Sequence, residues 1–244
     1  MELVPASRFS IDDLTAAYNG TKLGLCMLGV RKERAWLTRL GVLPALRRNG
    51  CGQAMVEHCI EQAARRGAQL VTLEVIIGNE PAFRLFEKLG FRHVRRLVVL
   101  RRPPGTPPAN HHPPAAILTW LDTPRILACA AARPWQPAWT NQTESLCNAG
   151  DVQGLHIEEE GSGRRGWASY QRSALQLTRL IIGPDGDSPF APAYTLLHHL
   201  HMRFPTLDTI AENVPADAPH LDAFYAHGYV NSFARVEMAL SLEG

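Results

Sequence analysis

A proline-rich segment in the middle of the chain sets the strongest limit on how this sequence can fold. Residues 101–114 read RRPPGTPPANHHPP and show no apolar periodicity. Because proline removes a backbone donor and clashes with the preceding helical turn, this segment can neither propagate a helix nor lie in a central strand. We interpret it as a semi-rigid linker, and we predict domains at residues 1–102 and 115–244 joined by residues 103–114.

The two halves resemble each other, which predicts a duplicated fold. The sequence LTRL at residues 37–40 recurs at residues 177–180, an offset of 140. The pair Gly90-Phe91 is echoed by Gly228-Tyr229, an offset of 138. Two matches in the same order at nearly equal offset favour tandem duplication over chance.

The apolar pattern of the first half predicts alternating strands and helices. Residues 35–42 alternate weakly, as a strand does, and residues 52–66 carry apolar side chains at helical spacing on one face. Residues 69–77 form a strongly apolar strand, residues 79–89 a short helix, and residues 91–100 a last strand. The predicted order is therefore strand, glycine loop, helix, strand, helix, strand.

The loop Arg47-Arg48-Asn49-Gly50-Cys51-Gly52-Gln53 admits more than one interpretation. Gly50 and Gly52 can simply permit a turn with unusual backbone angles. A dinucleotide fingerprint is excluded because the third glycine is missing, and a nucleotide P-loop because no Gly-Lys-Ser/Thr follows. The remaining interpretation is a pyrophosphate cradle, in which backbone N–H groups at the helix start act with Arg47 and Arg48.

The motif R-x-x-G-x-G at residues 47–52, after a strand that ends in GVLP, resembles the acyl-CoA loop of the GNAT superfamily of N-acetyltransferases. A second motif, N-x-x-A-x-x-L-F-E-x-x-G-F at residues 79–91, is similar to the helix and strand that flank the pantetheine arm in that family. The resemblance covers about residues 28–100. It implies an α/β (α+β) fold: a mixed, mostly antiparallel sheet flanked by helices, duplicated here, with the first copy shortened at its N-terminus.

The resemblance also implies acetyl-CoA as cosubstrate and assigns residues to it. Main-chain groups of Leu40 and Val42 would pair with the pantetheine arm, and the Val42 N–H would act as an oxyanion donor to the thioester. Asn79 is equally well explained as a helix cap, and the two roles are compatible. The other implied coenzyme-binding residues are Arg47, Arg48, Asn49, Gly50, Cys51, Gly52, Gln53 and Phe86.

The catalytic groups depart from the family pattern. Many family members place a tyrosine in the second motif to protonate the leaving thiolate, and this chain has Phe86 there, so we expect slower but not abolished transfer. Glu74 is the nearest candidate for the general base. A solvated or arginine-paired carboxylate explains Glu74 as well, and water-mediated deprotonation of the amine is equally compatible.

The front of the chain is short for this family. Only 35 residues precede Trp36, and they supply one helix at Ile11–Tyr18 and one strand of a hairpin, but no second acceptor-binding helix. We expect an acceptor site that is open, completed by the second half or another chain, or defective. The incomplete sheet also favours self-association through an exposed edge.

The second half is expected to repeat the fold without the coenzyme site. Asp185 and Asp187 stand where the first half has its basic loop, and they would repel a pyrophosphate. His198, His199 and His201 suggest a metal site, but no carboxylate partner lies nearby, so we favour a partly exposed helix face and predict no metal.

Composition excludes several other classes. The five cysteines form no C-x-x-C pair, which argues against a disulfide framework and a zinc site. A net charge of +2 and the absence of a long apolar run argue against nucleic-acid and membrane partners, and predict a cytoplasmic protein. The arginines at 95, 96, 101 and 102 are too short a cluster for nucleic-acid binding. We predict an N-acetyltransferase acting on a primary amine of a small molecule, peptide or protein; the rival is a non-catalytic acyl-CoA-binding scaffold.

Overall fold

The computed structural model describes residues 11–18, 21–108, 112–186 and 188–242. By contacts between residues, the chain divides into two compact units. The first contains the chain up to Arg95 together with the residues from Val236 onward, and the second contains Arg96–Arg235. This division falls within two strands rather than at the proline-rich segment, so domain boundaries at residues 102 and 115 remain a prediction.

The strands are β1 (Ile11–Tyr18), β2 (Thr21–Arg31), β3 (Arg34–Val42), β4 (Leu70–Ile76), β5 (Arg92–Arg102), β6 (Ala116–Leu121), β7 (Gln153–Glu159), β8 (Arg165–Arg172), β9 (Gln176–Pro184), β10 (Asp208–Pro215) and β11 (Val230–Ser241). The helices are α1 (Cys51–Arg65), α2 (Glu80–Lys88), α3 (Thr123–Ala132), α4 (Thr143–Ala149), α5 (Phe190–Arg203) and α6 (Leu221–Ala226). Single 3-10 turns lie at Pro44–Leu46 and Trp139–Asn141.

From β3 onward, the first unit has the predicted order of elements. Strands β1, β2 and β3 pair antiparallel in sequence order, β3 pairs parallel with β4, and residues of β11 and then β5 follow β4 in the sheet. One face of α1 is buried against this sheet through Met55, Val56, Cys59 and Ala63. The mixed sheet flanked by helices that the sequence predicts is therefore confirmed.

The segment Ile11–Tyr18 is a strand, so the helix predicted there is wrong. It forms the antiparallel partner of β2 over its whole length, with one register shift between Ala16 and Ala17. Its local sequence is compatible with a helix, but a neighbouring strand that offers a full ladder of backbone partners overrides weak local propensity.

The second unit contains the strand order β5, β10, β9, β8, β7, β6, with β6 at the edge. Strands β7 and β8 form a hairpin, and its turn contains Gly161 and Gly163 with positive φ. The core of this unit forms around α5, whose Leu196, Leu197 and Leu200 are fully buried.

The LTRL segments carry the same rare backbone conformation in both units. Arg39 in β3 has φ +54°, and Arg179 in β9 has φ +51°. Each strand pairs antiparallel with the strand before it through a register shift near this residue, and parallel with the strand after the next helix. A non-glycine residue in this region is uncommon, so its recurrence at the repeated arginine supports duplication.

The histidines of α5 differ from expectation. His198 and His199 are partly exposed as predicted, but His201 is fully buried and its Nε2 lies 2.9 Å from the Tyr229 hydroxyl. The prediction of a shared, partly exposed face is thus wrong for His201, because the face that it shares with buried Leu197 and Leu200 packs inward. Within the described residues, no group of three or more His, Cys, Asp or Glu side chains could hold a metal ion.

Arg102 fixes the start of the proline-rich segment within the second unit. Its guanidinium donates to the carbonyl oxygens of Pro103, Gly105, Thr106 and His227 at 2.7–3.3 Å. Arg101 and Arg102 end strand β5, whereas the described residues from Pro103 to Pro114 contain neither helix nor strand, as predicted. Among the described residues, no helix combines the length and the apolar character that crossing a membrane requires.

Candidate functional site

The two parallel strands of the first unit separate at the position that the resemblance assigns to the pantetheine arm. The parallel register runs from Arg34 opposite Leu70 to Leu37 opposite Leu73, and then stops. Strand β3 nevertheless continues to Val42 and β4 to Ile76. Among the described residues, the side of β3 that faces β4 therefore has no strand partner beyond Leu37. Its backbone groups around Leu40 and Val42 can pair with an extended ligand.

A bulge in β3 accompanies this separation. Leu25 of β2 stands opposite Gly41, whereas Met27 stands opposite Thr38, so β3 holds one additional residue between these pairs. Arg39 lies in this stretch and has φ +54°. A bulge bends its strand and strengthens the local twist, which accounts for the divergence of β3 from β4.

Gly24 permits β2 to approach the end of β3 closely. A Cβ at this position would lie 2.3 Å from the Gly41 carbonyl oxygen and 2.9 Å from the Met55 methyl group. No side chain fits into that space. The backbone of β2 thus supports the bulged end of β3 from the side opposite β4.

The predicted cradle loop follows β3 and leads into α1. Arg47 Nε donates to the Val42 carbonyl oxygen at 3.1 Å, which closes the loop onto the strand end. Arg48 and Gly50 have φ +68° and +81°, and Gly50 is the N-cap of α1. The first helical bond runs from the Ala54 N–H to the Gly50 carbonyl at 3.0 Å. The N–H groups of the three residues before Ala54 precede the helical ladder, an arrangement that binds anions.

The surroundings of Gly50 and Gly52 leave room for a ligand at the start of α1. A Cβ on Gly50 would have no atom within 4 Å, so Gly50 is required for its backbone conformation and the loop is open on its outer side. A Cβ on Gly52 would lie 3.5 Å from Val42 and 3.6 Å from Leu85, in ordinary contact. Position 52 thus lies beside β3 and α2, with room for a small side chain.

Lys88 adds a third cation near the start of α1, which the sequence did not predict. Its ammonium donates to Gln53 Oε1 at 2.8 Å, and Gln53 Nε2 in turn donates to Glu57 at 2.8 Å. The contact joins residues 35 positions apart on two different helices. No spacing rule within either helix could have indicated it.

The second motif forms α2 as predicted. Asn79 Oδ1 accepts from the Ala82 N–H at 3.4 Å and caps the helix. Phe86 is 4% exposed and packs edge-to-face on Phe91, with ring centroids 5.7 Å apart. The position that carries a tyrosine in many family members is therefore part of an apolar core here, and it presents no hydroxyl.

Glu74 lies on β4, one residue beyond the last parallel pair with β3. It is partly buried, and its Oε2 accepts a hydrogen bond from the Trp36 indole N–H at 2.7 Å. The side chains of Trp36 and Glu74 thus bridge the two strands where their backbones separate. The sequence indicated Glu74 as a candidate base but not Trp36 as its partner, because nothing local in the sequence relates positions 38 residues apart.

The second unit has the same strand separation without the basic loop. Parallel pairing between β9 and β10 is limited to Gln176–Leu177 opposite Asp208–Thr209. On the β10 side, the Asn141 amide donates to the Glu212 carbonyl oxygen at 2.8 Å, and the Asn213 amide donates to the Thr140 hydroxyl at 3.0 Å. The 3-10 turn at residues 139–141 therefore contacts β10 beyond its short pairing with β9.

Comparison with known proteins agrees with this geometry. Residues 3–91 match the model of the Acetyltransferase (GNAT) family. This segment of the chain thus matches the GNAT acetyltransferase domain in sequence. The ribosomal protein bS18-alanine N-acetyltransferase of Escherichia coli (strain K12) is 36% identical over 73 residues, which is 30% of this chain and 49% of the relative. The corresponding enzyme of Salmonella typhimurium is 33% identical over 84 residues, which is 34% of this chain and 52% of the relative. The chain spans about half the length of these curated relatives.

Solved structures extend the likeness in fold to both units. A tandem GNAT protein from the clavulanic acid biosynthesis pathway aligns with 97% of this chain and 84% of its own, at TM-score 0.61 and 15% identity. A GCN5-related N-acetyltransferase from Sphaerobacter thermophilus aligns with 91% of this chain and 78% of its own, at TM-score 0.65 and 17% identity. The recognition of a tandem GNAT arrangement is confirmed at the level of fold.

Proposed function

We propose that the first unit transfers an acetyl group from acetyl-CoA to a primary amine by direct attack. The observation that carries the proposal is the combination, on consecutive elements, of a partnerless strand end and an open anion-binding helix start. Residues beyond Leu37 on β3 offer backbone groups to an extended arm, and the loop around Gly50 offers N–H groups to a pyrophosphate. Coenzyme A is a ligand with both parts joined.

The coenzyme would be held by the residues that the resemblance assigns. The pantetheine arm would pair with the backbone of Leu40 and Val42. The pyrophosphate would meet the N–H groups at the start of α1, with positive charge from Arg47, Arg48 and Lys88 nearby. The full set of proposed coenzyme-binding residues is Leu40, Val42, Arg47, Arg48, Asn49, Gly50, Cys51, Gly52, Gln53, Asn79 and Phe86.

Acetyl transfer from the thioester to an amine requires stabilisation of the oxyanion, an acceptor for the amine proton and departure of the thiolate. The Val42 N–H is the proposed donor to the thioester oxygen as negative charge develops there. Glu74 is the proposed base, acting directly or through water, and its position beside the strand separation supports this role. The thiolate leaves without a side-chain acid, because Phe86 occupies the place of the usual tyrosine.

A second candidate function is a non-catalytic acyl-CoA-binding protein. The buried Phe86 favours it, since the hydroxyl that protonates the thiolate in many relatives is missing. This candidate predicts the same coenzyme binding as the transferase but no consumption of acetyl-CoA.

Calorimetric titration with acetyl-CoA tests the shared coenzyme site. We expect micromolar binding by the intact chain and its loss in a variant that combines Arg47→Ala with Gly50→Glu. The matched control is Gly186→Glu, because Gly186 has φ +82° in the corresponding loop of the second unit and so imposes the same backbone strain as Gly50. Unchanged binding in the Gly50 variant, or equal loss in the Gly186 variant, would refute the assigned site.

Turnover then separates the two candidate functions. Release of free coenzyme A would be followed with peptides that begin with alanine, since the curated relatives are named for an alanine acceptor in a ribosomal protein, and with small amines such as spermidine. Amine-dependent release would establish a transferase. Tight binding with no release above the hydrolytic background for any acceptor class would favour the binding protein.

A further inference from the structure

The edge strand β6 of the second unit has an unprotected side. It pairs with β7 along all six of its residues, from Ala116 opposite Glu159 to Leu121 opposite Gly154. Within the part of the chain that the structure describes, β7 is its only strand partner. The backbone groups on its other side are therefore available to another strand.

Both faces of β6 are exposed and apolar. Ile117 on one face is 61% exposed, and Leu118 and Trp120 on the other face are 38% and 42% exposed. Successive residues of a strand point to opposite faces, so a covered edge strand would show one buried set. None of these three side chains is buried, so the middle of β6 shows no such set on either face.

Strand β6 also lacks the sequence features that usually prevent an edge strand from pairing with another strand. Its sequence AILTWL contains no charge, proline or glycine, and its register with β7 has no bulge. Natural edge strands are commonly blunted by such features, and an exposed apolar edge without them is a template for pairing.

Trp120 is held in place before any partner arrives. Its ring packs edge-to-face on Phe204 at 6.2 Å between centroids, and the Arg203 guanidinium lies 5.9 Å from its ring centre. Tryptophan and arginine are the residues that most often dominate protein interfaces. A preorganised tryptophan on a free edge therefore lowers the entropic cost of association.

From these features we infer that β6 pairs antiparallel with β6 of a second copy of this chain, which makes the protein a two-fold symmetric dimer. A two-fold axis through Thr119 places Leu118 opposite Trp120 of the copy, and Ile117 opposite Leu121. Apolar side chains then meet on both faces, and no charge opposes a like charge along the strand. An uncharged strand that is complementary to itself favours a second copy over a charged or proline-rich peptide.

Sedimentation equilibrium over about 1–200 µM protein tests the inference, with thermal unfolding to check that each variant is folded. We expect the wild-type chain to fit a monomer–dimer equilibrium and Leu118→Lys to weaken the dimer at least tenfold. The matched control is Leu175→Lys, because Leu175 is also an exposed leucine of the second unit, 77% exposed, but lies outside β6. That control is expected to dimerise as the wild type does.

The register is tested by charge rescue. In the proposed pairing, position 118 faces position 120 of the copy, so Trp120→Glu alone should weaken the dimer and the double variant Leu118→Lys/Trp120→Glu should restore at least part of it. A monomeric wild type, or a folded Leu118→Lys variant that dimerises normally, would overturn the inference. Failure of the double variant to recover any association would overturn the proposed register.

Discussion

The indole N–H of Trp36 donates to Glu74 Oε2 at 2.7 Å, two residues beyond the pairing of Trp36 with Thr72. This hydrogen bond links β3 to β4 near the point where their backbones separate. It fixes the position of the side chain that is proposed as the base.

Replacement of Glu74 by glutamine tests the proposed base. We expect Glu74→Gln to lower kcat by roughly 10²–10⁴-fold, the usual range for loss of a general base, while the affinity for acetyl-CoA stays unchanged. Steady-state kinetics and calorimetry on the same preparation would measure both quantities. Glu61→Gln is the control, since Glu61 is paired with Arg65 on the outer face of α1 and should be neutral. An unchanged kcat in Glu74→Gln would leave water as the route for the proton.

The missing leaving-group acid can be supplied by substitution. We expect Phe86→Tyr to raise kcat several-fold if the ring edge reaches the coenzyme thiol, and to lower the stability of the fold by about 1 kcal/mol, because a hydroxyl enters an apolar core. Chemical denaturation and turnover assays would report the two effects separately. A rate that does not rise would indicate that position 86 does not contact the leaving group.

A close backbone contact makes Gly24 sensitive to substitution. Gly24→Ala would place a Cβ 2.3 Å from the Gly41 carbonyl oxygen, so either β2 or the bulged end of β3 must move. We expect a loss of about 2–4 kcal/mol in the free energy of unfolding and weaker acetyl-CoA binding. Gly41→Ala, whose added Cβ would meet no atom within 4 Å, is the control from the same contact. Equal stability of the two variants would contradict the contact.

The buried histidines of the second unit predict acid sensitivity. Burial lowers the pKa of His201 to about 2 and that of His227 to about 4, from an ordinary value near 6.5. The unfolded chain then binds more protons than the folded chain below pH ~6.5, so stability is complete above that pH and falls toward pH ~4. Each residue would account for about 3 kcal/mol over this interval.

Denaturant unfolding at several pH values would check the acid sensitivity. We expect His201→Gln, which cannot titrate but can still hydrogen-bond to the Tyr229 hydroxyl, to reduce the slope of stability against pH by about 1.4 kcal/mol per pH unit. An identical slope in the wild type and the variant would show that His201 is not the source.

Local signals in the sequence predicted most of the first unit. The spacing of Met55, Val56 and Cys59 placed α1, and Asn79 with Gly90 marked the two ends of α2, because capping and helical periodicity are properties of neighbouring residues. The R-x-x-G-x-G motif located the loop because Gly50 is needed for a backbone conformation with positive φ. The roles of the assigned residues in binding and catalysis are still predictions.

What the sequence could not predict depends on partners distant along the chain. Ile11–Tyr18 has a helix-compatible sequence, and only the presence of β2 makes it a strand. Trp36, Lys88 and Gly24 join the site through contacts with residues far from them in sequence. His201 could not be distinguished from the exposed histidines beside it, because its burial depends on residues of another element.

The return of the final strand to the first unit has a consequence for how the protein is made. Met238 is fully buried in the core of the first unit, and the Leu242 N–H donates to the Gln69 carbonyl oxygen at 2.7 Å. During translation, residues up to Arg95 of the first unit are therefore synthesised long before β11, which completes the core of that unit. The nascent first unit thus stays incomplete, with part of its apolar core exposed, until β11 has been translated.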